Sequence, residues 1–246
     1  YGALFLAQFP AYAKNVLGGG EGSVTLLLAV FTVGIGLGSL LCERMSGKRV
    51  EIGLVPFGSI GLTLFGIDIY FASPATPFAT EVLGVAALLG IPAVWRILFD
   101  LVMLGVFGGF FIVPLYALVQ IRSSAAHRAR IIAANNILNA LFMVTGALGA
   151  AALLSSGLSI PALFGIAALA NALVALYIYR LVPEFLLRFM AWLMIRAVYR
   201  LRSEGLENIP EEGSAVIVCN HVSFADAVVI IGASPRPLRF VMDHRI

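Results

Sequence analysis

Residues 24–42 read VTLLLAVFTVGIGLGSLLC, a run of nineteen residues without a charged side chain. A helix needs about 20 predominantly apolar residues to cross the hydrocarbon core of a bilayer. Because no water reaches that core, backbone polar groups must be satisfied within the segment, and a helix satisfies them. The run therefore predicts a membrane-spanning helix, and similar runs recur along most of the chain.

The composition of the whole chain supports the same interpretation. Of its 246 residues, 61% are hydrophobic and 12% are charged, whereas average soluble domains carry about 25% charged residues. This excludes an ordinary soluble enzyme, and the apolar fraction excludes a disordered chain. Cys42 and Cys219 lie far apart in unlike contexts, so they predict neither a disulfide nor a metal framework. The sequence begins and ends in mid-pattern, and we expect it to be a piece of a longer protein.

Hydropathy predicts one partial and five full spans. The partial span ends near Pro10, and the full spans cover residues 24–42, 50–72, 97–121, 131–154 and 161–181. Residues 86–95 are apolar but too short to span and contain Pro92, which favours an interfacial or re-entrant segment. The Arg-rich loops all fall on one side, and the opposite loops hold only Lys14 and Arg96. The positive-inside rule therefore predicts that the Arg-rich loops and the C-terminal end are cytoplasmic.

Small and amide side chains recur inside the spans. Small residues let helices approach closely in lipid, and amides hydrogen-bond between helices. We expect close helix packing at the glycines, with bending or gating as the alternative, and interhelical hydrogen bonds from the asparagines. The residues concerned are Gly34, Gly36, Gly38, Gly105, Gly108, Gly109, Gly146 and Gly149, and Asn135, Asn136 and Asn139.

Asp68 and Asp100 lie near the predicted outer ends of two spans. Charges in a membrane are costly and usually face the bundle interior or water, where they mark substrate or ion pathways. We hypothesise that the two aspartates contact a substrate headgroup or couple an ion. The alternative is a local pair between Arg96 and Asp100, spaced i, i+4, with side chains that snorkel to the surface.

A second candidate site is Asn220-His221-Val-Ser223-Phe-Ala-Asp226, which follows an apolar run of strand type at residues 215–219. At a strand-to-helix turn, the carboxylate can reach the imidazole, fix its tautomer and stabilise the imidazolium. No Ser or Cys nucleophile motif lies beside it, which favours His221 as a general base on a bound hydroxyl. Alternatively, His221 caps a turn and Asp226 caps the following helix.

With its flanks, this motif resembles the opening of the glycerophospholipid acyltransferase family, of the lysophosphatidate acyltransferase type. The resemblance covers residues 206–246 and includes Gly213-Ser-Ala-Val-Ile-Val-Cys219 and Arg236-Pro-Leu-Arg239. It implies an α/β domain in which His221 is the general base on the acceptor glycerol hydroxyl and Asp226 orients it. It also implies an acyl thioester of acyl carrier protein or coenzyme A as co-substrate, without a cofactor. The family's later motifs are not in this sequence, so we expect this piece alone to be inactive.

The segment Gly38-Ser-Leu-Leu-Cys-Glu43-Arg44-Met-Ser-Gly47-Lys48-Arg49 joins two spans on the predicted cytoplasmic side. It resembles the loop signature of the major facilitator superfamily, although Glu43 replaces the usual Asp and Gly47 is displaced by one residue. In such a loop, Glu43 and the basic turn form a charge latch that two transporter conformations make and break. A positive-inside anchor explains Arg44, Lys48 and Arg49 equally well.

With the two segments in this order, the chain resembles the fused lysophospholipid transporter–acyltransferase proteins of bacteria. The fold class predicted is an α-helical polytopic membrane bundle followed by the start of an α/β acyltransferase domain. Residues 1–182 are predicted to be the C-terminal half of a facilitator-type transporter built from repeats. Residues 183–205 are predicted to be a basic amphipathic helix at the interface, and residues 206–246 the truncated acyltransferase domain.

The resemblance implies inward flipping of a lysophospholipid, or lysophosphatidate, and its reacylation. It places the chain in the bacterial inner membrane as a multi-pass protein with a cytoplasmic C-terminal domain. The expected partners are membrane lipids and the acyl thioester; the sequence contains no P-loop, zinc spacing or dinucleotide fingerprint, and we expect no metal and no nucleic-acid partner. Two alternatives remain: a secondary transporter of another small solute with a vestigial or regulatory tail, and helices that only anchor a lipid-modifying enzyme.

Overall fold

The computed structural model of the protein describes residues 1–46, 52–79, 81–198, 201, 203–210, 213–220, 223, 225–234 and 238–240. These residues are mostly helical, and no strand is present among them. The helices in chain order are α1 (Gly2–Asn15), α2 (Glu21–Met45), α3 (Leu54–Ala72), α4 (Val85–Leu89), α5 (Pro92–Arg122), α6 (Arg128–Ser155), α7 (Ile160–Leu181), α8 (Pro183–Val198) and α9 (Ala225–Ala233).

Five of these helices, α2, α3, α5, α6 and α7, are long and apolar enough to cross a membrane. They coincide with the five predicted full spans, which are thereby confirmed as helices to within a few residues at each end. The start of the second predicted span, at residues 50 and 51, lies outside the described residues. The five helices indicate a multi-pass membrane protein.

Two boundaries differ from the sequence prediction. The helix of the partial span continues past Pro10 to Asn15. The apolar segment at residues 86–95 is not one interfacial piece, because α4 ends at Leu89 and Pro92 already belongs to the first turn of α5. A proline is well tolerated there, since the first N–H groups of a helix have no intrahelical partner.

The helix directions alternate as the distribution of basic residues predicts. Along α2 and α5 the contacts advance together, from Gly34 against Val102 to Gly38 against Val106, so these helices are parallel. On the other side of α5, Gly58 of α3 lies against Phe111, whereas Asp68 pairs with Arg96; α3 and α5 are therefore antiparallel. Helix α7 is antiparallel to α3 in turn, with Gly165 near Tyr70 and Asn171 bonded to Thr63.

The first helix is buried more deeply than a partial span suggests. Phe5, Phe9 and Tyr12 have no exposed surface. Phe5 stacks on Phe164 of α7 with ring centroids 4.1 Å apart, and Phe9 meets Phe31 of α2 edge to face at 5.6 Å. α1 is therefore held by aromatic packing between α2 and α7.

Four of the span glycines mediate close packing between α2 and α5. A Cβ built at Gly34 or Gly38 would overlap the backbone of α5, and one at Gly105 or Gly109 would overlap the backbone of α2. The packing interpretation is confirmed for these four. Of the eight glycines singled out in the sequence, the other four have no neighbouring atom within 4 Å of a built Cβ in the part of the chain described: Gly36, Gly108, Gly146 and Gly149.

The predicted strand at residues 215–219 is not confirmed. These residues have no regular secondary structure, Val216 and Val218 are 90% and 88% exposed, and no strand pairs with them among the residues described. A strand requires a neighbouring strand to satisfy its backbone groups. The regular elements described within residues 203–240 are a short 3₁₀ turn at Leu206–Asn208 and α9.

We predict that Gly38→Ala destabilises the bundle more than Gly36→Ala does. The methyl group added at Gly38 must displace the α5 backbone, and overpacking of this kind costs about 1–3 kcal/mol. The methyl group added at Gly36 meets open space. Replacing that flexible glycine within a helix is neutral or stabilises the protein by up to about 1 kcal/mol. Denaturant titration of the two variants in mixed micelles measures the difference in free energy of unfolding. Equal effects would show that α2 and α5 do not pack through Gly38.

Candidate functional site

Asp226 lies in the first turn of α9, where it caps the helix together with Ser223. Its Oδ2 accepts a hydrogen bond from the Ser223 N–H at 2.9 Å, and Ser223 Oγ accepts one from the Ala225 N–H at 3.2 Å. This reciprocal arrangement resembles a capping box. The capping role considered for Asp226 is therefore present, and since an ionised carboxylate has about four acceptor sites, the cap does not exhaust its capacity.

The predicted base, His221, lies outside the described residues. The roles of His221 and Asp226 in proton transfer therefore remain predictions. The structure describes Asn220, which has no regular secondary structure, Ser223, and the capped helix that begins at Ala225.

Helix α8 connects this segment to the membrane helices. Arg188 of α8 is buried, and its Nη2 donates a hydrogen bond to the Ser234 carbonyl at 3.1 Å. Ser234 directly follows α9, so the guanidinium lies at the negative end of that helix. On another side, Phe189 stacks over Phe57 of α3 with centroids 6.1 Å apart. The position of α9 is thus fixed relative to the bundle through α8.

A face of α8 is apolar and exposed. Leu187, Met190, Met194 and Val198 are each at least half exposed, and their spacing of three or four residues places them on one side of the helix. Such a face suits the membrane interface. Of the other residues in the predicted amphipathic stretch, Tyr199, Arg200 and Arg202 lie outside the described residues.

The predicted transporter loop is described only in part. Glu43 and Arg44 occupy the last turn of α2 and are exposed, and the Ser46 hydroxyl donates to the Glu43 carbonyl at 3.1 Å. Lys48 and Arg49 lie outside the described residues. The charge latch therefore remains a prediction.

Asp68 and Arg96 form an ion pair between α3 and α5. Arg96 Nε donates to Asp68 Oδ2 at 3.1 Å, and Nη2 contacts Oδ1. This bidentate pair replaces the local Arg96–Asp100 pair that the i, i+4 spacing favours. The guanidinium reaches across to the neighbouring helix, where two parallel N–H···O bonds are available to it.

Asp100 lies one turn further along α5 and is completely buried. Neither of its carboxylate oxygens has a hydrogen-bond donor among the residues described. Nearby, the Tyr12 hydroxyl is 2.7 Å from Ser73 Oγ, which is also 2.6 Å from the Ile69 carbonyl. Ser73 lines a cavity of about 600 Å³ at the same end of the bundle, with Asn15, Tyr70, Thr76 and Ser159.

Tyr12, Ser73 and this cavity were not predicted from the sequence. A tyrosine in an apolar helix was the available signal, because a buried phenolic hydroxyl normally finds a hydrogen-bond partner. The asparagine prediction is confirmed for Asn135 and Asn139, which both donate to the Tyr116 hydroxyl of α5. A further interhelical amide is Asn171, which donates to Thr63 Oγ1 at 2.9 Å.

We predict that Arg188→Ala loosens α9 without affecting the spans. A hydrogen bond to a charged group contributes about 1.5–3 kcal/mol, which corresponds to tenfold or greater acceleration of local exchange. Hydrogen–deuterium exchange at the α9 amides should rise accordingly. Arg180→Ala, at an exposed arginine in the last turn of α7, is the matched control. Unchanged exchange in α9 would mean that Arg188 does not hold it.

Comparison with known proteins gives a match over the C-terminal part of the chain. Residues 200–246 match the family described as Acyltransferase, and this range contains both His221 and Asp226. No curated protein and no solved structure matches the chain. The chain thus joins five helices of membrane-spanning length and composition to a segment of the Acyltransferase family.

Proposed function

We propose that this chain belongs to a membrane-bound glycerophospholipid acyltransferase fused to half of a facilitator-type transporter. In this proposal the complete protein flips a lysophospholipid, or lysophosphatidate, inward and acylates its free glycerol hydroxyl. The observation that carries the proposal is the Acyltransferase match at residues 200–246, directly after the membrane helices. The acyl donor is a thioester of acyl carrier protein or coenzyme A, and no cofactor is required.

The proposed chemistry is a single acyl transfer with general-base assistance. His221 accepts the proton of the acceptor hydroxyl as its oxygen attacks the thioester carbonyl. The new ester bond forms, the carbon–sulfur bond breaks, and the thiol leaves with the proton returned by the imidazolium. Asp226 orients the imidazole and stabilises its charged form, as the carboxylate of a catalytic triad does.

The location of the segment supports a lipid acceptor. Because α8 packs against both α3 and α9, α9 is held next to the membrane helices. The exposed apolar face of α8 lies along the interface in this proposal. We place the segment on the cytoplasmic side of a bacterial inner membrane, following the positive-inside prediction.

The transporter part of the proposal is supported by the five apolar helices and their alternating directions. Asp68 and Asp100 are the proposed transport-path residues, and Glu43, Arg44, Lys48 and Arg49 the proposed loop signature. Fusing the two functions is physically useful, because a tether raises the effective concentration of the flipped lipid at the second site.

We predict that His221→Ala in the complete protein reduces acyl transfer about 10²–10⁴-fold, the usual contribution of a general base. Asp226→Asn should also reduce it, because the amide cannot stabilise the imidazolium charge. Conversion of a radiolabelled lysophospholipid to the diacyl product measures the rate. His127→Ala is the matched control, since His127 lies in an exposed loop and bonds only to Ser124 among the residues described. Undiminished transfer by His221→Ala would refute the assignment.

A second candidate is a secondary transporter of another small solute, with the tail domain vestigial or regulatory. The cavity at one end of the bundle and the ion pair between α3 and α5 favour a solute transporter over helices that serve only as a membrane anchor. Proteoliposomes that contain the complete protein separate the two functions. Our proposal predicts lysophospholipid uptake; uptake of a small solute without lysophospholipid uptake would favour this second candidate.

A further inference from the structure

Asp100 is the acidic side chain least satisfied by its surroundings in the described part of the bundle. It has no exposed surface, and both carboxylate oxygens lack a donor there. The free-energy cost of burying an isolated ionised carboxylate is too high for it to remain charged, so the group binds a proton instead. In a membrane helix, a buried acid of this kind is a functional site by default.

The cation one helical turn from Asp100 is already paired with another carboxylate. Arg96, one turn earlier on α5, is bound to Asp68 of α3 through two nitrogens. The Asp68 and Asp100 carboxyls interact electrostatically, and two ionised carboxylates repel each other. A single proton on Asp100 removes that repulsion and gives the group a hydrogen to donate.

The other helices around Asp100 provide no cation that contacts its carboxylate among the residues described. α1 contributes the Tyr12 hydroxyl, and its charged side chain, Lys14, is exposed in its last turn; α4 contains no titratable side chain. α2 carries Glu21 in its first turn, and its Arg44 lies in its last turn at the opposite end. The basic residues of α6 lie in its first turn, which is also at that opposite end: Arg128 and Arg130.

The Tyr12 and Ser73 hydroxyls form a hydrogen-bonded pair at the cavity end of the bundle. Tyr12 interacts electrostatically with Asp100 and is bonded to Ser73, which lines the cavity of about 600 Å³. Because the Ser73 hydroxyl can donate to the Ile69 carbonyl, the Tyr12 hydroxyl can donate to Ser73 and keep its own oxygen as an acceptor. The polar groups that interact with Asp100 therefore lie toward the cavity end of the bundle.

We propose that Asp100 is a proton-binding site, with Asp68 as its charged neighbour, and that it exchanges the proton with water on the cavity side during transport. Exchange is a simple acid dissociation, in which the O–H bond breaks, the electron pair stays on the carboxylate and the proton passes to water. The binding of the proton rests on the burial of Asp100 and on the absence of a donor to its carboxylate among the residues described. Its use in transport rests on the proposed function, and it identifies the coupled ion as a proton.

Infrared spectroscopy of the complete protein in nanodiscs tests the binding. At neutral pH the wild type should show the C=O stretch of a protonated carboxyl group that shifts in D₂O and is absent from Asp100→Asn. Glu21→Gln, at an exposed carboxyl in the first turn of α2, should retain it. Should Asp100→Asn not fold, Arg96→Gln serves instead, because loss of the guanidinium changes the charge beside the carboxyl groups and should alter the frequency or intensity of the band. A band that persists unchanged in Asp100→Asn, or in Arg96→Gln where that variant replaces it, would overturn the proposal.

Uptake of a fluorescent lysophospholipid into proteoliposomes at several external pH values tests the coupling. Wild-type uptake should change with pH, and uptake by Asp100→Asn should be independent of pH. The same pH dependence in both proteins would refute the coupling. If the wild type takes up no lysophospholipid at any pH, the transport function fails and the coupling fails with it, whereas the infrared result still decides whether Asp100 binds a proton.

Discussion

The backbone contact between α2 and α5 is the constraint on which the rest of the bundle depends. Lipid tails are as apolar as leucine, so helices in a membrane associate through close packing rather than through hydrophobic burial. Gly34 and Gly38 on α2, with Gly105 and Gly109 on α5, allow that approach. α3 then packs on the other side of α5, which brings Asp68 opposite Arg96 and encloses Asp100.

The sequence was sufficient for the spans, because membrane crossing depends on the length and hydropathy of each segment itself. It was not sufficient for the partners of the polar side chains, because these depend on which helices become neighbours. The spacing of Arg96 and Asp100 favoured a local pair, yet a carboxylate on α3 offered the guanidinium a two-nitrogen contact. For the same reason, eight similar glycines divided into four that pack against a neighbour and four that do not.

For the candidate catalytic segment, too, the sequence predicted some features and not others. The residue types of the His-x4-Asp motif and its flanks identified an acyltransferase opening, and the family match covers the same residues. The alternative that Asp226 caps the following helix is also present in the structure, whereas the sequence did not predict that Arg188 fixes the end of that helix against α8. These contacts connect the segment to the bundle, and in our account they hold the reacting groups near the membrane surface that delivers the acceptor.

The most direct test of this account is product formation by the purified complete protein in lipid nanodiscs. The protein is supplied with a lysophospholipid and an acyl thioester of acyl carrier protein or coenzyme A, and the lipids are analysed by mass spectrometry. The account predicts a diacyl phospholipid esterified at the formerly free glycerol hydroxyl, with release of one equivalent of thiol. Absence of that product with every lysophospholipid headgroup and with both thioesters would contradict it.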